Sequence, residues 1–240
     1  MRFKIFVLVI NYNYQDFLLN NQSAWKILKK FDNYIVVDDQ SLDLNLDLFP
    51  DFLKNKLKVT NYKKTKYNYL NQINAIKFGL DCLSIDVNDK NYIWVMDADD
   101  IPKIDSFEKI KKELNNNNCY ELFLFSKNIY CKSKFQFKSI PKMSNKFWYK
   151  NFSTGSIVFD YRLFVSNQFK ITSDTFRDIW FDIRMMILCK KNKIKISKDI
   201  IFDQIFHDTN DSYRYRRSLL LKYYRIIRTF FYYLYNGIIK

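Results

Sequence analysis

Tyr92-Ile93-Trp94-Val95-Met96 is an apolar run that ends abruptly in Asp97, Asp99 and Asp100, with Pro102 just beyond. Its length and its β-branched and aromatic content read as a buried strand. Carboxylates crowded at one strand end repel one another unless a positive charge joins them. A divalent cation held by hard oxygen ligands answers that need and brings phosphates with it. Taken alone, the cluster is also compatible with a solvated acidic turn.

The preceding chain supplies the rest of such a sheet. Phe3 to Ile10 is nearly all apolar after Lys4, so both faces of this first strand are buried, as in a parallel sheet covered by helices. Asp16 to Lys30 carries Phe17, Leu18, Trp25 and Leu28 at helical spacing. Tyr34 to Val37 is a second strand that also ends in carboxylates, Asp38 and Asp39. A helix over Leu48 to Leu57, interrupted at Pro50, a short strand over Leu57 to Thr60 and a helix over Leu70 to Leu83 complete the series. Strands alternating with helices imply a parallel sheet with right-handed crossovers. Ligands of such sheets sit at the carboxyl ends of the strands. No G-x-G-x-x-G follows the first strand and no G-x-x-x-x-G-K-[ST] occurs, so phosphate must be met by a metal or by cationic side chains.

The second half is less regular. A helix over Ser106 to Leu114 and a turn over Asn115 to Asn118 lead to strands over Tyr120 to Ser126 and Lys127 to Lys132. A polar turn from Phe152 enters a strand ending at Phe159, and Phe176 to Cys189 reads as a helix carrying Asp178, Asp182 and Arg184. Strand-like pieces at Ile194 to Ile196 and Ile200 to Phe206 precede His207. From Tyr213 onward the chain reads as one long basic, aromatic helix.

At 240 residues the chain can bury a full core as one domain with a small appendage. The formal charge of +15 suits nucleic acid, anionic lipid or phosphorylated substrates alike, and part of it reflects a general richness in Lys alongside Asn and Ile. The 4 Cys are scattered and His occurs once, which argues against a zinc site and for reduced cytosolic thiols. The opening Met-Arg-Phe-Lys enters a strand directly, without the pattern of a signal peptide. No run of about 18 apolar residues predicts a membrane span.

These pieces, in this order, resemble a GT-A glycosyltransferase, and most closely glycosyltransferase family 2, over roughly residues 3 to 212. V-I-N-Y-N at Val9 to Asn13 resembles the family's opening strand and its P-T-Y-N. V-V-D-D-Q-S-L-D at Val36 to Asp43 resembles V-V-D-D-G-S-T-D, with Gln40 for the common Gly. N-A-I-K-F-G-L at Asn74 to Leu80 resembles the A-R-N-x-G-L helix. M-D-A-D-D at Met96 to Asp100 matches the D-x-D element almost letter for letter. R-D-I-W-F-D-I-R at Arg177 to Arg184 resembles E-D-x-D-x-x-x-R, with Arg177 for Glu, and F-H-D-T-N-D-S at Phe206 to Ser212 resembles a late His-x-x-x-x-S element.

The resemblance implies an α/β fold, a Rossmann-like, mixed and mostly parallel sheet flanked by helices. It divides the chain into a glycosyltransferase domain over 1–212 and an amphipathic helical tail over 213–240. Within the domain, residues 1–102 would bind nucleotide and 103–212 the acceptor. The implied activity is transfer from a nucleotide-sugar donor, UDP-linked foremost, to a glycan or lipid-linked glycan. The implied setting is bacterial cell-surface polysaccharide or lipo-oligosaccharide synthesis. Asp99 and His207 would hold Mn²⁺ or Mg²⁺, and Asn11, Tyr12, Asp39 and Asp97 would bind the nucleotide sugar. Asp38 and Asp100 would support their turns. Asp178 would deprotonate the acceptor, and a single base without a nucleophilic carboxylate implies inversion; the same residue could instead cap its helix. Asp182 reads as a partner for Arg184 or Lys190. The tail's six cations between Arg214 and Arg228 suit an anionic membrane surface, on the inner face of the cell membrane. A helix docked on the domain or on a second copy would read the same way. Against these stand a nucleic-acid-binding protein, for which no recognised module is present, and a GT-A scaffold without turnover.

Overall fold

The structure, a computed structural model, describes residues 3–42, 44–131, 134–145, 148–176, 179–206 and 219–238. Strand β1 (Lys4–Asn11) lies between β2 (Asn33–Asp38) and β4 (Asn91–Asp97), with β3 (Leu57–Val59) outside β2, and all four run parallel. The second half enters antiparallel: β10 (Ile157–Asp160) pairs with β4 on one side and with β6 (Leu122–Cys131) on the other. Beyond β6 comes β11 (Ile194–Phe206), parallel to it, and β5 (Asp100–Pro102), antiparallel on the edge. The sheet is thus mixed and mostly parallel. Strand β7 (Lys134–Ser139) folds back on β6, and β8 (Lys142–Asn145) with β9 (Trp148–Lys150) forms a separate ribbon.

Alternation along β1 divides two cores. Phe6, Leu8 and Ile10 face helices α4 (Asn68–Cys82), α6 (Tyr161–Thr172) and α7 (Phe181–Leu188). Ile5, Val7 and Val9 face α1 (Gln15–Asn20), α2 (Gln22–Leu28), α3 (Asp51–Lys54) and α5 (Ser106–Asn116). Gly79 lets α4 approach the sheet: a Cβ there would stand 2.8 Å from the Val37 side chain.

Several elements differ from the sequence reading for visible reasons. The helix expected over Asp16 to Lys30 is two helices, because the Asn21 side chain caps Ala24 N and starts α2 afresh. Pro50, extended and without an N–H, restricts the next helix to α3 and a 3₁₀ turn at Leu46–Leu48. The two strands expected over 120–132 are the single β6, and the two pieces after Ile194 are the single β11. Pro102 does not end pairing but sits in β5, an edge strand where its missing N–H costs nothing. Helix α6 was not expected. Helix α7 starts at Phe181 rather than Phe176, because Trp180 is extended (ψ 153°).

The expected tail helix is α8 (Leu219–Ile238); residues 207–218 lie outside the described set. It docks on the domain by one side. Tyr232, 1% exposed, packs edge-on against Phe176 with ring centroids 5.0 Å apart, and joins Ile179, Ile183 and Ile187. Arg228, expected on lipid head groups, instead lies 5.2 Å over the Phe176 ring. The opposite side leaves Ile227, Phe230, Phe231 and Leu234 exposed. Among the described residues no helix is long and apolar enough to cross a membrane.

Candidate active site

Parallel register brings the carboxyl ends of three strands into one row. Asn11 of β1 pairs with Asp38 of β2, and Ile10 pairs with Asp97 of β4. A cavity of about 480 Å³ opens there. Ile10, Tyr12, Asp39, Asp97 and Asp99 form its strand-end wall, and Lys64, Thr65, Asn68 and Gln72 the wall from the β3–α4 segment. The second half closes it with Asn151 to Thr154, with Trp180, Asp182 and Ile183 of the α7 region, and with Gln204 of β11.

The β2 end divides its carboxylates between support and site. Asp38 is fully buried and accepts hydrogen bonds from Asn11 Nδ2 at 2.6 Å, Ser41 N at 2.9 Å and Ser41 Oγ at 2.5 Å. Asn11, expected to bind nucleotide sugar, is therefore part of this buried brace and does not line the cavity. Gln40 takes a left-handed φ of 54°, a conformation that favours Gly. Its amide offsets that cost by donating to Tyr62 O at 2.7 Å. Asp39 faces the cavity. Its Oδ1 accepts from Tyr62 Oη at 2.5 Å and Thr60 Oγ1 at 3.2 Å, and its Oδ2 lies 3.6 Å from Lys64 Nζ. Burial pushes the Asp39 carboxyl up, against the lowering effect of Tyr62, Lys64 and Thr60. Tyr12 is 43% exposed and lies beneath Lys64, whose Nζ is 3.8 Å from the ring centroid.

At the β4 end, burial, then the Asp99 and Asp182 carboxylates, push Asp97 up to about 7, against Gln72 and Lys127. Gln72 Nε2 donates to Asp97 at 3.3 Å. Asp99 is 3% exposed yet lines the cavity. Asp100 does not line it: it is buried beside Gly155, and burial, then the Asp99 and Asp97 carboxylates, push its carboxyl well above the ordinary value.

The donor set suits a hard divalent cation, since carboxylate oxygens that repel one another are the chemistry such an ion neutralises. Among the described residues no three His, Cys, Asp or Glu groups could hold one by themselves. Cations of the Mg²⁺ type are commonly held by one or two carboxylates completed by substrate phosphates, and Asp97 with Asp99 fits that pattern. His207 and Asp178 lie outside the described residues.

Arg184, which the sequence offered with Lys190 as a cation for Asp182, turns its guanidinium to backbone carbonyls. It is fully buried and donates to the carbonyls of Ile179 at 3.0 Å, Ile171 at 2.5 Å, Ser173 at 2.7 Å and Phe176. Arg184 thus ties the end of α6 and the turn at Ser173 to Phe176 to the residue two before α7, Ile179. Asp182 turns to the cavity instead, its Oδ1 accepting from Ile183 N at 2.8 Å. Residues that the sequence reading missed here are Lys64, Gln72, Trp180, Asn151 and Gln204.

The family model for glycosyl transferase family 2 matches residues 6–195. No curated protein matches the chain in sequence. Among solved structures, residues 1–349 of TarS from S. aureus in complex with UDP-GlcNAc match at 16% identity and a TM-score of 0.57, over 86% of this chain and 60% of that one. The mannosyltransferase PcManGT from Pyrobaculum calidifontis in complex with GDP-Man and Mn²⁺ matches at 11% identity and a TM-score of 0.55, over 95% of this chain and 63% of that one. This chain thus spans about three fifths of each, and the likeness shows a shared GT-A fold. With a family match that runs from β1 into β11, the chain belongs to glycosyl transferase family 2.

Proposed function

We propose that this chain is an inverting, metal-dependent glycosyltransferase that moves a sugar from a nucleotide donor to a glycan acceptor. One observation carries the reading: a single cavity has an aromatic face and a buried carboxylate at one end, Tyr12 and Asp39, and the paired carboxylates Asp97 and Asp99 at the other. That is the polarity of a nucleoside diphosphate, a stacking base with N–H donors followed by charge. Tyr12 would stack on the base and Asp39 would accept its N–H. Asp99 and His207 would hold Mn²⁺ or Mg²⁺, and Asp97, read in the sequence as a contact of the nucleotide sugar, would here join them; the ion would neutralise the departing diphosphate. Asp178 is the proposed base for the acceptor hydroxyl, on the strength of its place before Arg184 in the motif that resembles E-D-x-D-x-x-x-R. Solved relatives of this fold were captured with UDP-GlcNAc and with GDP-Man, which supports a nucleotide-sugar donor, UDP-linked in our reading.

The acceptor in this proposal is a growing, lipid-linked cell-surface glycan, reached from the cytoplasmic face of the membrane. The exposed Ile227, Phe230, Phe231 and Leu234 of α8 support that placement, since a docked helix with an apolar outer face can lie in a lipid interface. The test is a nucleotide-sugar panel with and without Mn²⁺, read by thermal stabilisation and donor turnover. Metal-dependent stabilisation by one donor, with slow hydrolysis, is expected; no response to any donor would overturn the reading. Product stereochemistry by NMR checks inversion.

A further inference from the structure

The nucleoside end of the cavity already holds a ligand from the chain itself. Lys64 Nζ lies 3.8 Å from the centroid of the Tyr12 ring, well inside the range of a cation–π contact and about where the plane of a stacked base would lie. The same nitrogen is 3.6 Å from Asp39 Oδ2. Tyr62 and Thr60 bond the other oxygen, Oδ1, so Oδ2 is the acceptor left facing the cavity, and Lys64 stands before it. An ammonium and a base cannot share that face and that oxygen. We propose that Lys64 is an internal stand-in for the nucleobase: it occupies the Tyr12 face and Asp39 Oδ2 until a nucleotide displaces it, and so sets the affinity threshold for the donor. This rests on reading the cavity as a nucleotide site.

The hold is loose enough to release. The ion pair lies beyond hydrogen-bond distance, the Lys64 contact to Gln40 O is long at 3.5 Å, and a quarter of the side chain is exposed. The backbone on either side is fixed: Gln40 Nε2 holds Tyr62 O at 2.7 Å, and Asn71 Oδ1 accepts from Thr65 N at 2.9 Å. Displacement therefore needs only rotation of the side chain, without opening of the segment.

A ligand normally shields the lysines it covers; here it should expose one. The intact chain is acylated with an amine-reactive ester in the absence and presence of uridine or guanosine, and modification of Lys64 is followed by peptide mass spectrometry. Whichever nucleoside binds is expected to accelerate acylation of Lys64. In parallel, Lys64→Met is expected to bind that nucleoside about three- to tenfold more tightly than the wild type, because the competing cation–π contact is gone. Slower or unchanged acylation on binding, or equal or weaker binding by the variant, would overturn the proposal and make Lys64 an ordinary contact of the ligand. If uridine, guanosine and their diphosphates with Mn²⁺ all fail to bind both proteins, the nucleotide reading itself fails, and this inference with it.

Discussion

The Asp97 carboxyl, pushed up to about 7 by burial and by Asp99 and Asp182, would tie the proposed cation binding to pH. Its folded value lies above the ordinary 3.8, so its contribution to stability is full below that value and is lost as pH rises through about 7. A bound divalent cation competes with the proton. The expected outcome is a small rise in melting temperature on adding Mn²⁺ at pH 5.5 and a larger one at pH 8. Asp182→Asn removes one of the charges that raise Asp97 and should move the onset of that response to lower pH. Asp99→Ala should abolish the Mn²⁺ response while the metal-free melting curve remains cooperative. If Asp178 is the base, as proposed, Asp178→Asn should slow transfer by about 10² to 10⁴-fold with donor affinity nearly unchanged, as measured by single-turnover transfer and donor titration. At this scale the sequence pointed to Asp39, Asp97 and Asp99, because carboxylates at the ends of apolar strands fall at the ligand-binding edge of a parallel sheet, though that position alone does not tell them from Asp38 and Asp100, which turn inward. It did not expose Lys64 or Gln72, whose approach to Tyr12 and Asp97 depends on how the β3–α4 segment crosses the strand ends. Nor did it separate Asn11 from the site, since a buried amide bracing Asp38 and a ligand-facing amide look alike in sequence.

Among the elements, the strands of the first half were the most legible, because runs such as Val7 to Ile10 and Ile93 to Met96 are buried on both faces and carry no competing helical period. Helix α6 was not, since Tyr161, Phe164, Val165 and Ile171 mix aromatic and β-branched residues at positions that suit a strand equally well. The start of α7 was misjudged because Arg184 draws the carbonyls of the preceding segment inward, a tertiary interaction that local propensity cannot register. Arg184→Lys should therefore cost about 3 kcal/mol by denaturant unfolding, since one ammonium cannot satisfy the carbonyls that the guanidinium joins. Helix α8 has a docked face and an exposed one. Tyr232→Ala should loosen docking and open 219–238 to proteolysis. Phe230→Ser with Phe231→Ser should leave the melting temperature within about 1 °C, because both rings are more than half exposed, while reducing co-sedimentation with anionic vesicles. Equal sedimentation of that double variant and the wild type would count against the proposed membrane contact of the outer face.

Over the whole molecule, the two halves meet along β10, and the order of the sheet does not follow the order of the chain. Strand β6 is made before β10, yet β10 takes the place between β4 and β6, with Val158 opposite both Trp94 and Phe123. Trp94 is fully buried and its indole N–H donates to Gly155 O at 2.8 Å, a partner 61 residues ahead. During synthesis, then, the centre of the protein is the part that waits. A chain that has emerged through Asn151 holds β4 and β6 with facing edges open, two apolar ladders with nothing between them, the kind of edge that seeks a strand from another chain. Fragments ending near residue 150 should aggregate, whereas a chain extended past Phe206, which holds both β10 and the β11 that covers the other edge of β6, should gain solubility sharply, as a pelleting assay on a length series would register. The four residues of β10 act as a late keystone, and a ribosome that pauses just before them leaves the nascent chain at its most exposed.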